Sequence, residues 1–259
     1  MKRIFSFMIA AAMVVTLGVS CDNNDGKEGK EEGKEESRFA IDGDDADWSE
    51  FNQEYVVSLE CAADHPFPAV RTAKLYADKD YLYVYLTFND NGTAGKELHM
   101  DIYADFDNDA TTGGYDNEFI DYTSEYSFQG TIRGVDGKYA SYSGGLYEWI
   151  GDNAPSYQDE TGTWFNNWAW SSLLFDVSYS AEGAGKAVSD GVVAYELKLP
   201  VGTMVEDGWI ENFNTTEIGI GVDILSGWDS IGWLPNTAAT EENPRGKTPK
   251  AKVKIAPSK

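Results

Sequence analysis

Acidic residues are concentrated in one short stretch, 105–121, and their spacing suits the binding of a hard cation. The stretch contributes five aspartates, namely Asp105, Asp107, Asp109, Asp116 and Asp121. Carboxylate oxygens at this density are ligands that Ca²⁺ takes in proteins. The pattern is not an EF-hand, because alanine stands where that loop needs glycine. Two interpretations stay open: a structural Ca²⁺ site, or a solvated hairpin turn whose Asp and Asn side chains cap backbone amides.

Aromatic residues in the later part of the chain are a second candidate for chemistry. The candidates are Trp164, Trp168, Trp170, Trp228 and Trp233. The first three share one strand parity, and the last two flank Asp229. Sugars present apolar C–H faces that stack on aromatic rings, while nearby Asp or Asn accept hydrogen bonds from hydroxyl groups. The set predicts a carbohydrate-binding surface, and the alternative is that the rings fill the hydrophobic core, as we expect of Trp48.

Strands must position these residues, because alternation with a period of two dominates the chain and no long segment has helical periodicity. Four runs place their apolar residues on one face, at 82–88, 98–106, 193–199 and 218–224. Short strands, 26 glycines and frequent Asp/Asn turns favour sheets over helices. We predict a single all-β domain over 38–259, an antiparallel jelly-roll-like β-sandwich.

The opposite faces of two of these runs carry rings and carboxylates. Tyr81, Tyr83 and Tyr85 alternate with the apolar residues of the first run. The second run offers His99, Asp101, Tyr103 and Asp105. If the two strands pair, the residues form one outward stripe, and Tyr83, Tyr85, Asp101 and Tyr103 are then expected to bind a glycan. The alternative is a second layer covered by loops.

The start of the chain reads as an export signal. Lys2 and Arg3 precede an apolar run, 4–19, that is too short for a comfortable membrane span. The junction 17–21 resembles a bacterial lipobox, although Leu17 lies one place further from Cys21 than in the commonest pattern. The resemblance implies that 1–20 is a lipoprotein signal peptide and that Cys21 is acylated. The alternative is an ordinary secretory signal.

The segment 21–37 is a predicted disordered linker. Beyond Cys21 it is acidic and Gly-rich and has no aromatic or β-branched residue, so it cannot bury enough apolar surface to order itself. In surface lipoproteins of Gram-negative bacteria such a stretch accompanies export, which implies an outer-membrane anchor facing the cell exterior. The formal net charge of −24 disfavours nucleic acid, and favours neutral over anionic polysaccharides as partners.

Several segments resemble, in order, one family of sandwiches. They are the IDG and DW of 41–43 and 47–48, the hairpin 73–84, the turn DFDNDATTGG at 105–114, the DY at 121–122 and the strand YELKLP at 195–200. Together they resemble DOMON-like sandwiches, including family 9 carbohydrate-binding modules. The resemblance implies a jelly-roll-like sandwich and a role in binding. Relatives that bind haem use Met and His, but His99 and Met100 face opposite ways on one strand, so no haem is expected.

The function predicted from the sequence is non-catalytic glycan binding by a lipid-anchored surface protein, beside an outer-membrane transporter or a hydrolase. A structural or adhesive lipoprotein that binds a protein partner is the alternative. A glycoside hydrolase is the third hypothesis, because the separation of a catalytic carboxylate pair is invisible in a sequence. The sequence has no G-x-S-x-G, H-E-x-x-H or Walker motif.

Overall fold

The computed structural model describes residues 40–114, 118–151, 157–158, 164–165, 169–171 and 173–257. They belong to a compact unit that begins at Ser37, and nearly all of its elements are strands. In chain order the elements are a 3₁₀ turn (Ala46–Glu50), β1 (Val57–Glu60), β2 (Val70–Asp78), β3 (Leu82–Asn89), β4 (Leu98–Asp105), β5 (Tyr126–Arg133), β6 (Tyr139–Gly151), β7 (Tyr157–Gln158), β8 (Trp164–Phe165), β9 (Ala169–Trp170), β10 (Phe175–Asp176), β11 (Glu182–Ser189), β12 (Val192–Leu199), α1 (Val201–Glu206), β13 (Glu217–Ser226), β14 (Asp229–Leu234) and β15 (Ala251–Ala256). Within these ranges, no helix has the length and apolar character needed to cross a membrane.

β7 and β8 pair with each other and β9 pairs with β6, while the other strands form two sheets. The first sheet has the order β1-β2-β3-β12-β11, and the second has the order β10-β6-β5-β4-β13-β14. The described pairings within each sheet are antiparallel. β15 joins the sheets, because it pairs antiparallel with β13 while Ile255 and Ala256 pair parallel with β2. At another contact between the sheets, the Tyr195 hydroxyl donates to the carbonyl of Ala140 at 2.8 Å. The predicted all-β sandwich is confirmed.

The hydrophobic core lies between the two sheets and follows the alternation of the sequence. It contains the apolar faces that were predicted for β3, β4, β12 and β13. These are Leu82, Val84, Leu86 and Phe88; Leu98, Met100, Ile102 and Ala104; Val193, Tyr195, Leu197 and Leu199; and Ile218, Ile220, Val222 and Ile224. At roughly 1.5–3 kcal/mol for each fully buried large aliphatic side chain, this layer is the main source of the domain's stability.

The outer face of the first sheet is covered by the segment around the 3₁₀ turn. The Trp48 Nε1–H donates to Glu196 Oε1 at 2.7 Å, and the backbone amides of Asp42 and Gly43 donate to Glu196 Oε2. Phe51 stacks on Tyr76, with ring centroids 4.0 Å apart. Trp48 is therefore a structural residue, as expected.

The predicted stripe of tyrosines and carboxylates is wrong, because β3 and β4 do not pair. β3 lies between β2 and β12 in the first sheet, whereas β4 lies between β5 and β13 in the second. Tyr83 and Tyr85 are therefore packed under Phe51 and Trp48 rather than beside a groove. Asp101 and Tyr103 lie on the opposite side of the molecule, on the outer face of the second sheet.

Candidate functional site

The outer face of the second sheet carries rows of polar residues, which we call the polar face. Strand register places each row across neighbouring strands. The rows are His99, Thr131 and Ser143; Asp223, Asp101 and Gln129; and Tyr103, Ser127 and Tyr147. Gln129, Thr131 and Tyr147 are half-buried and Ser143 is exposed, so part of this face is open to solvent.

Trp228 stands at one end of the polar face, in the turn between β13 and β14. Gly227 has φ +64°, a left-handed conformation that allows this tight turn. The indole is 78% exposed, and it stacks on the His99 ring with centroids 4.8 Å apart and an interplanar angle of 15°. Burial lowers the pKa of His99, which favours the neutral ring. The stacking holds the indole in place, and its other face is available to a ligand.

A groove of about 680 Å³ borders this turn. Ser226 and Asp229, the residues on either side of Gly227 and Trp228, both line it. Its other lining residues are mostly polar or proline: Pro66, Phe67, Pro68, Ala69, Arg71, Asn89, Asn91, Gly92, Thr93, Lys96, Ser230 and Ile231. Amide, hydroxyl and charged groups can therefore exchange hydrogen bonds with a polar ligand beside an exposed ring.

Arg133 fixes one wall of this groove from the inside. Its guanidinium is buried, and Nη2 donates to the carbonyl oxygens of Thr93 at 2.6 Å and Lys96 at 2.7 Å. Nη1 donates to Thr93 Oγ1 at 3.0 Å and also pairs with Asp90. One planar side chain thus connects both ends of the loop 90–97. Nothing in the sequence indicated that Arg133 holds this loop, because the loop and the arginine are far apart along the chain.

Three carboxyl groups are buried beneath the middle of the polar face. Asp101 and Asp223 are cross-strand partners, 5% and 1% exposed, and Glu118 is similarly buried. Burial, and then the Glu118 charge, raises the pKa of Asp101 to about 8 and that of Asp223 well above its usual range. Arg245 donates to Glu118 at 2.8 Å, and Ser230 donates to Asp223 at 2.6 Å. Near neutral pH, Asp101 is therefore mainly protonated, and burial shifts Asp223 in the same direction.

The other end of the polar face is aromatic. The half-buried Trp170 lies 6.1 Å from the Tyr103 ring and 5.6 Å from the Trp149 ring, measured between centroids. Trp149 packs so closely over Gly114 that a Cβ there would be 1.8 Å from the indole. The Trp170 side chain is partly accessible to solvent, whereas Tyr103 is buried at 8% exposure.

The predicted role of Trp233 in ligand binding is wrong. The side chain is fully buried, and its ring lies 4.7 Å from that of His65 and 5.0 Å from that of Phe67. Arg245 lies over the same indole at 5.0 Å. Loops that enclose the outer side of β14 therefore remove Trp233 from any open surface.

Two further members of the predicted tryptophan set are placed only in part. Trp164 lies in β8, but its side chain is not among those that the structure describes. Trp168 lies outside the described residues altogether, as does the predicted lipidation site Cys21. Of the predicted glycan ligands whose side chains are described, Trp228 is the one that is largely exposed.

The acidic turn brings together two of its five predicted ligands, Asp105 and Asp107, and adds Glu125. One ligand oxygen from each of the three residues lies within 4.8 Å of the others. Burial, and then the charges of Asp107 and Asp105, raises the pKa of Glu125 to about 7. Glu125 was missed because it precedes β5 in the sequence and meets Asp105 only through the pairing of β4 with β5.

The remaining predicted metal ligands do not join this group. Asp109 accepts hydrogen bonds from the amide and hydroxyl of Thr111. Asp121 pairs with Lys250, at 2.5 Å from Oδ1 to Nζ. Asp116 lies outside the described residues.

Comparison with known proteins adds no assignment, since no family model and no curated protein matches the chain.

Proposed function

We propose that the protein binds carbohydrate without chemistry of its own, at the Trp228 ring and the groove beside it. The observation that carries the proposal is the indole of Trp228, 78% exposed and stacked on His99. An exposed tryptophan that is already fixed in orientation loses little rotamer entropy when a ligand covers it. Its free face suits the apolar C–H face of a sugar ring.

The groove supplies the polar half of this recognition. Asn89, Asn91 and Asp229 offer amide and carboxylate groups along this groove, and Lys96 offers an ammonium group. Sugar hydroxyls both donate and accept hydrogen bonds, so a mixed lining of this kind suits them. The net charge of −24 makes a neutral glycan the favoured ligand over an anionic one. The resemblance of the sequence to family 9 carbohydrate-binding modules agrees with this choice.

Binding is favoured over hydrolysis because the neighbouring acids with raised pKa values are buried. Asp101 and Asp223 are 5% and 1% exposed, so a glycosidic bond lying on the polar face does not reach them. A protein-binding or adhesive role is the alternative.

The proposal is tested with the full chain by affinity gel electrophoresis in neutral polysaccharides such as xylan, glucomannan and β-glucan. We expect retardation by at least one of them, and a loss of affinity of about tenfold or more in Trp228→Ala, which corresponds to about 1.4 kcal/mol. Tyr179→Ala is the matched control, because Tyr179 is 94% exposed but is not part of the site. Folded wild-type protein that is not retarded by any polysaccharide, or equal affinity of the two variants, would contradict the proposal.

We also propose that Cys21 anchors the domain to the outer membrane, so that the polar face meets glycans outside the cell near a transporter or a hydrolase. The support is the lipobox-like junction and the acidic linker that follows it. Metabolic labelling with an alkyne fatty acid tests the anchor. Label is expected in the wild-type protein and not in Cys21→Ala, and equal labelling of both proteins would contradict the proposed anchor.

A further inference from the structure

We propose that Asp105, Asp107 and Glu125 form a Ca²⁺ site at the end of β4, with Asp109 and Asp121 outside it. The ligand oxygens of the three residues lie within 4.8 Å of one another, which is close enough for one ion to contact all three. This inference is independent of the proposed carbohydrate binding, because it concerns a different part of the domain and a different chemistry.

Asp105 gives the observation that points to a ligand. Its side chain is buried at 2% exposure, and its Oδ1 has no hydrogen-bond partner among the described residues. A buried carboxylate oxygen without a partner costs free energy unless something fills its coordination. Oδ2 accepts a hydrogen bond from Thr123 at 3.0 Å, so the carboxylate is held in one orientation.

The other two carboxylates are also oriented by the chain itself. The backbone amide of Phe106 donates to Glu125 Oε2 at 2.8 Å. The Thr112 hydroxyl lies 2.9 Å from Asp107 Oδ2 and 3.3 Å from Glu125 Oε1, so it bridges the two residues. The Thr112 hydroxyl can instead donate its proton to the carbonyl oxygen of Asp109, 3.0 Å away, which turns its lone pairs towards a cation between these carboxylates.

The charges around the site match a divalent ion. With a cation bound, all three carboxyl groups are ionised and contribute three negative charges, and Lys252, whose Nζ lies 3.4 Å from Asp105 Oδ2, contributes one positive charge. The remainder of two negative charges equals the charge of one Ca²⁺. Asp107 and Glu125 are partly exposed, which leaves room for water to complete the six to eight oxygens that Ca²⁺ takes. Mg²⁺ demands stricter octahedral geometry, so we expect Ca²⁺ to be preferred.

The test is calorimetry and thermal unfolding of the full chain after treatment with EDTA and desalting. Added CaCl₂ is expected to bind with a stoichiometry of one and to raise the unfolding temperature by roughly 5 °C at a hundredfold excess over the dissociation constant. MgCl₂ at the same concentration is expected to give a smaller shift. Absence of both a binding heat and a thermal shift with CaCl₂ would overturn the proposal.

Variants separate this site from general attraction of cations to an acidic protein. Asp107→Asn and Glu125→Gln are expected to weaken Ca²⁺ binding tenfold or more, and either one suffices if the other fails to fold. Asp109→Asn is the matched control, because it removes the same charge from the same turn outside the site. Equal losses in Asp109→Asn and Asp107→Asn would overturn the assignment. Trp228→Ala is expected to keep the Ca²⁺ response, so the two proposals fail separately.

Discussion

The buried acid Asp101 makes the stability of the domain depend on pH, and replacing it should remove part of that dependence. Burial, and then the charge of Glu118, raises the pKa of Asp101 from 3.8 to about 8. Between pH 5 and pH 7 the group is therefore protonated in the folded protein and ionised in the unfolded chain. Its contribution to stability is complete below the unfolded pKa and is lost as the pH rises towards the folded pKa.

The magnitude follows from the number of protons taken up on folding. One proton changes the free energy of unfolding by about 1.36 kcal/mol per pH unit. Asp101 therefore makes the wild-type protein less stable at pH 7 than at pH 5 by about 3 kcal/mol. Asp101→Asn has nearly the same shape and does not titrate, so the variant is expected to gain about that amount relative to wild type over this interval.

Urea unfolding followed by tryptophan fluorescence at pH 5, 6 and 7, at constant ionic strength, measures the effect. Acids that do not contact Asp101, such as Glu196, are present in both proteins and cancel in the difference. The matched control is Asp136→Asn, at an exposed turn where the hydrogen bond from the Lys138 amide lowers the pKa of the carboxyl. Asp136 is ionised in both states over this interval, so the control should follow the wild-type pH dependence.

A stability difference between Asp101→Asn and wild type that stays constant within about 0.5 kcal/mol from pH 5 to pH 7 would contradict this prediction. That result would mean that Asp101 is ionised in the folded protein.

Two further predictions concern buried polar contacts. Arg133→Lys removes the planar fork that binds two carbonyl groups of the loop 90–97, so hydrogen exchange measured by mass spectrometry should accelerate in that loop, and unchanged protection there would contradict its role. Glu196→Ala removes the carboxylate that accepts a hydrogen bond from the buried indole N–H of Trp48, so urea unfolding should show a loss of about 2 kcal/mol in the free energy of unfolding, and a loss under 0.5 kcal/mol would contradict the assigned contact.

The faces of single strands could be predicted from the sequence, because alternation with a period of two is a local signal. Leu82, Val84, Leu86 and Phe88 are all in the core, as predicted. The partner of each strand is not a local property. The connection 90–97 between β3 and β4 crosses from one sheet to the other, so the tyrosines of β3 and the acids of β4 are on opposite sides.

Only part of the site could be predicted, because a local pattern marks a turn but does not show which side chains are covered by distant parts of the chain. Trp228 lies at a Ser-Gly turn, which the sequence marks, and turns are usually exposed. Trp233 has the same residue type five positions later, but loops from distant parts of the chain bury it, and no local pattern reports that. Glu125 could have been found only from the register of β4 against β5, which places it next to Asp105 at the end of the strand pair.

β15 has a consequence for the order in which the domain assembles. It follows the other described strands in the sequence, and it supplies partners both to Glu217–Ile220 of β13 and to the end of β2. Until β15 is synthesised, the backbone amide and carbonyl groups in both places lack their partners, and such open edges invite pairing with other chains. A chain interrupted before residue 251 should therefore be prone to aggregate, and closure of the two sheets has to wait until β15 has been synthesised.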